Sequence, residues 1–137
     1  MQAGSKNSET SSGSEIEMIL PFLLNRRRNR WKELFQKPKG RKKLLHTLWN
    51  GDDLDRSLMT QVQPNESSVQ AILLKLNSLG APAQCHLLSA RSMLDGKDLD
   101  LASALEIVLP ATLISCIPGK LAYYKNDDRN GSYILYR

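Results

Sequence analysis

Residues 64–80, PNESSVQAILLKLNSLG, set Val69, Ile72, Leu73, Leu76 and Leu79 at helical spacing. That pattern makes one broad apolar stripe on a helix. Asn65 is suited to cap it, Glu66 to its first turn and Gly80 to the position just past its end. A stripe this wide needs a sheet or other helices to bury it.

The remainder of the chain supplies the sheet. AQCHLLS (83–89) and ATLISCI (111–117) read as apolar strands, the second ending at Pro118-Gly119. KLAYYK (120–125) and SYILYR form a hairpin whose second strand covers 132–136, closed by NDDRNG with turn chemistry at Asn130-Gly131. Between the first two strands, MLDGKDLD is turn-rich. LASALEIVL is a short helix with Leu101, Ala104, Leu105 and Val108 inward and Asp100 as its cap. The expected architecture is α+β: a small three- to four-stranded antiparallel or mixed sheet with helices packed on one face. Leu73, Leu76, Leu105, Ile114 and Ile134 are the predicted core anchors.

Ahead of residue 64 the pattern changes. Residues 1–13, rich in Ser, Gly, Asn and Thr, offer nothing to bury and read as a flexible tail. Residues 14–137 then form a single domain, with a basic helical part at 21–50. Residues 15–20 fit a strand or a helix face equally. Pro21 suits the first position of a helix running to about Gln36. Pro38 and Gly40 break that helix, and a second follows at about 41–50 with Leu44, Leu45, Leu48 and Trp49 on one face.

Charge is distributed unevenly over this plan. Residues 25–43, NRRRNRWKELFQKPKGRKK, hold ten Arg and Lys against Glu33, a net of +9. The other 118 residues carry nine basic and thirteen acidic groups, a net of −4. Such a stretch attracts phosphates and acidic partners and gives salt-dependent binding. Basic residues 41–43 at a helix start also oppose its dipole, which favours an anion nearby. The candidate anion- or nucleic-acid-binding residues are Arg27, Arg28, Arg30, Lys39, Arg41 and Lys42. Trp31 and Phe35, interleaved with them, are suited either to stack on bases or to pack inward beneath snorkelling basic chains. The partner expected is a nucleic acid or an acidic protein. The alternative is a structural or protein-interaction domain whose basic face is only solvated. Asp52, Asp53, Asp55, Asp98 and Asp100 are the acids that would neutralise the patch by folding onto it.

No motif names a reaction. Cys85 and His86 are neighbours in a strand and point to opposite faces, and no C-x₂-C pair accompanies them. No metal, cofactor or catalytic residue is assigned. A small enzyme using His86, Cys116 or Lys120 beside the Pro118-Gly119 turn is the remaining catalytic reading. That turn lacks the glycine spacing and Ser/Thr of a P-loop. Two cysteines make no disulfide framework and fit a reducing, cytoplasmic setting. The start of the chain lacks a basic n-region before its apolar part, and Met18–Leu24 is too short to span a bilayer.

Overall fold

All five residues from Cys85 to Ser89 are buried, as are those from Thr112 to Cys116. Successive strand residues point to opposite faces, so both faces of this sheet are covered. The computed structural model describes residues 12–128 and 131–137. Among these residues six strands form the sheet: β1 (Met59–Gln61), β2 (Gln84–Ser89), β3 (Asp98–Asp100), β4 (Thr112–Ile117), β5 (Leu121–Lys125) and β6 (Ser132–Tyr136). Their order is β1-β6-β5-β4-β2-β3, and each neighbouring pair is antiparallel.

Among the described residues five α-helices flank it: α1 (Ser12–Ile19), α2 (Arg28–Leu34), α3 (Pro38–His46), α4 (Val69–Ser78) and α5 (Leu101–Ile107). The first three close one apolar core, where Ile19, Phe22, Trp31, Phe35, Leu44 and Leu48 meet Leu88, Leu113, Tyr124 and Leu135 of the sheet. The last two close the other, where Ile72, Leu76, Leu101 and Leu105 meet Leu87, Ile114, Tyr123 and Ile134. Leu76, Leu105, Ile114 and Ile134 are buried as anticipated, with Leu73 half-buried beside them.

The expectation of three to four strands under one helical face is therefore corrected twice. The sheet gains the edge strands β1 and β3, three residues each. Helices cover both sides, because Leu88 and Leu113 point away from α4 and need a second layer. The predicted helix from Pro21 to Gln36 is also broken. Leu23 is extended and bridges Leu54, while Leu24 N–H reaches Asp53 O and Asp55 N–H reaches Phe22 O. These distant backbone partners outcompete helical ones. Pro38 opens α3 rather than ending a helix, as its fixed φ and missing N–H permit at a first turn. Ser68, not Asn65, caps α4, accepting Ala71 N–H at 3.1 Å. The expected tail lies outside the described residues, except that Ser12 and Gly13 begin α1. Among the described residues no helix is long and apolar enough to cross a membrane.

Candidate functional site

The spacing of apolar residues sets which basic chains of α2 and α3 face water. On α2, Trp31 and the following Phe35 are fully buried, stacked with ring centroids 5.7 Å apart. They are core residues and offer no face to a base. On α3, Leu44 and Leu45 turn inward, so Lys39, Lys42, Lys43 and His46 share the opposite, exposed side. Three residues, 35–37, join the two helices. They pack closely enough that a Cβ on Gly40 would lie 2.2 Å from Leu34 O.

The six predicted residues divide evenly. Arg30, Lys39 and Lys42 are exposed, and among the described residues none has a carboxylate partner. Arg26, Lys32, Lys37 and Lys43 add to this surface on the same terms. The other three are partly exposed and make contacts within the protein. Arg27 Nε lies 3.3 Å from Asp53 Oδ1, and Asp53 also accepts the Trp31 indole N–H at 2.9 Å. Arg28 reaches the carbonyls of Leu23 and Pro21, each at 3.4 Å. Arg41 lies over the Phe35 ring at 4.9 Å and is bound by Glu15 and Asp95. Of the acids named as possible neutralisers, Asp53 forms an ion pair with Arg27 of the stretch, and Asp55 feels the charge of Arg28.

Arg41 belongs to a buried polar network that has no local sequence signature. Glu15 of α1, 4 % exposed within an apolar core, pairs with Arg41 of α3 and with His86 Nε2 at 2.7 Å. Asp98 of β3 meets His86 Nδ1 at 2.7 Å, and Asp95 adds Ser89 N–H to its Arg41 bonds. Burial alone would raise Glu15, but hydrogen bonds from His86 and Arg41 hold it below the usual glutamate value. Burial likewise disfavours charge on His86, and its contacts with Glu15 and Asp98 outweigh that and raise it. The network joins α1, α3, β2, β3 and the 90–97 connection. Its members lie up to 83 positions apart. The hints were polar residues inside apolar runs, Glu15 in EIEMIL and His86 in QCHLLS.

The arrangement leaves His86 little chemistry to perform. Both ring nitrogens are held by carboxylates, so neither is open to a substrate. His86 and Cys116 border one cleft, but Cys116 packs in the α4–α5 core while His86 is engaged with Glu15 and Asp98, and burial raises the Cys116 thiol to about 12. Lys120 is exposed past the turn at Gly119. At Gly119 the backbone has φ +73°, and a Cβ would meet Glu17 O and Pro21 at 3.0 Å. Among the described residues no group of three His, Cys, Asp or Glu is placed to hold a metal ion. Tyr123 and Tyr124 are buried and Tyr136 is exposed, so the hairpin aromatics serve mainly as packing. Comparison with protein-family models, curated proteins and solved structures finds no match for this chain.

Proposed function

We propose that the protein is a non-catalytic binding module that grips a polyanion, with nucleic-acid phosphates as the ligand, on the outer side of α2 and α3. The observation that carries this reading is the set of seven exposed cations, Arg26, Arg30, Lys32, Lys37, Lys39, Lys42 and Lys43, without carboxylate partners among the described residues. Glu33 is the one acid in their stretch. Unneutralised cations on one helical pair raise local phosphate concentration and release counterions on binding. With Trp31 and Phe35 buried, no stacking platform accompanies them, so the grip is on the backbone and tolerant of sequence. A cytoplasmic setting, where nucleic acid and acidic proteins are both at hand, suits this role.

The alternative is an interaction domain whose basic face is only solvated. Arg41 favours it in part, since its charge is taken up inside the fold by Glu15 and Asp95, as does Arg27 through its pairing with Asp53. An anisotropy titration with mixed-sequence DNA and RNA separates the two. Arg30→Glu/Lys39→Glu/Lys42→Glu is expected to abolish binding with unchanged thermal stability. Wild-type affinity in that variant, or no wild-type binding at low salt, would leave the solvated face as the better account.

A further inference from the structure

The chain has two cysteines, and the sheet sets them side by side. His86 and Ser115 form the last rung between β2 and β4, so one step further along lie Cys85 and Cys116. Leu87 fixes the hydrogen-bonding phase at that step. Its N–H goes to Lys97 O at 2.9 Å and its carbonyl accepts Gly96 N–H at 2.8 Å, both away from β4. Leu87 and Ile114 therefore face each other without exchanging bonds, and the same phase recurs two residues on at Cys85 and Cys116. Antiparallel partners of this kind stand about 4.5 Å apart at Cα, within the roughly 4.4–6.8 Å that a disulfide spans. The pairing of β4 with β5 slips between Ser115 and Ile117, at Cys116 itself, and a bulge re-aims the side chain it carries. Here Cys116 stays in the same apolar core as Cys85.

Neither thiol is committed elsewhere by more than a weak contact, Cys85 to Leu99 O at 3.4 Å and Cys116 to Ile114 O at 3.9 Å. Both also line one open cleft of about 320 Å³ with Met18, Gln84, His86, Asp98, Ser115 and Pro118. We propose that Cys85 and Cys116 are a redox pair that closes a cross-strand disulfide, with a small disulfide of the oxidised-glutathione class as oxidant. One cysteine thiolate attacks an oxidant sulfur, breaks its S–S bond and releases a thiolate, which takes up the proton the cysteine gave up. The second cysteine, deprotonated in turn, attacks the mixed disulfide and expels the other thiol. The protein loses two electrons and two protons, and the oxidant gains both and becomes two thiols.

Burial keeps the two thiols protonated, Cys85 at about 11 and Cys116 at about 12, the latter raised further by its neighbour Cys85. Exchange is accordingly slow at neutral pH, because the thiolate is the attacking species. A bridge at the short end of the allowed separation is also readily reduced, as reversible bonds are and structural staples are not. Closing it would pin the start of β2 to the end of β4.

The test equilibrates the folded full chain with oxidised glutathione at mildly alkaline pH, quenches with acid, and reads intact mass and peptide map. The expected product is lighter by two hydrogens, carries the Cys85 and Cys116 peptides joined, and reverts with dithiothreitol. Cys85→Ser and Cys116→Ser each remove it. Two free thiols at equilibrium, stable glutathione adducts without a bridge, or a bridge formed only between chains would overturn the proposal. So would a bridge that forms only once urea has unfolded the protein.

Discussion

His86 has a carboxylate oxygen 2.7 Å from each ring nitrogen, Glu15 at one and Asp98 at the other. A neutral imidazole carries a single N–H, so one of these contacts would set lone pair against lone pair; the imidazolium satisfies both. Its raised pKa makes a contribution to stability that is complete below the ordinary 6.5 and drains as pH climbs through the folded value. Glu15 has the opposite sign. Its contribution is present above the ordinary 4.5 and is lost as pH falls through its lowered folded value. Urea denaturation across pH should therefore show greatest stability between these limits, with His86→Gln flattening the alkaline decline and also softening the acid one, because His86 is one of the groups that lower Glu15. An unchanged alkaline limb in that variant would remove His86 from the explanation. Removing one partner of a buried pair costs roughly 3–5 kcal/mol, and Glu15→Gln should fall near the lower figure because Asp95 still holds Arg41. Asp98, with its side chain 61 % exposed, should lose less than about 1 kcal/mol as Asp98→Asn. Equal losses from the two would contradict this ranking. None of this network was readable from local pattern, since Glu15, Arg41 and His86 meet only through the tertiary fold.

Gly40 lies inside α3, where alanine would ordinarily gain about 1 kcal/mol of helix propensity. Here the added methyl would strike the Leu34 carbonyl backbone, which has no rotamer with which to yield. Gly40→Ala should destabilise by about 2 kcal/mol, the scale of overpacking, and a neutral or stabilising result in thermal melts would show α2 and α3 to be less tightly apposed. At α4, Ser68→Ala should cost about 1 kcal/mol as a lost cap, whereas Asn65→Ala, one turn of 3-10 helix earlier, should change little. The four longer strands, α4 and α5 were legible because each carries a full period of apolar residues. β1 and β3 were not: three residues such as Met59-Thr60-Gln61 are too short for alternation to register, and their pairing is decided by β6 and β2. The sequence cue at Pro38-Gly40 was real punctuation, but it marks a helix start and a close helix crossing rather than a loop.

The whole molecule is a sheet between two helical layers, and charge follows that division. The α1–α3 layer spends Arg27, Arg28 and Arg41 on internal contacts and leaves seven cations of residues 25–43 facing outward. Charge counting found the stretch but not this partition, because only tertiary contacts tell a structural arginine from an unneutralised one. Arg41→Gln is accordingly predicted to lower stability, and to weaken nucleic-acid binding only through that loss. The most direct measurement of the central claim is the slope of log K against log salt for nucleic-acid binding, from about 50 to 200 mM. Each phosphate contact contributes a slope of about −0.9 on duplex DNA. Seven cations thus bound the wild-type slope at about −6, and Arg30→Gln/Lys39→Gln/Lys42→Gln should make it shallower by about 3. A wild-type affinity indifferent to salt, or a slope unmoved by the triple variant, would contradict the claim that this face binds polyanions.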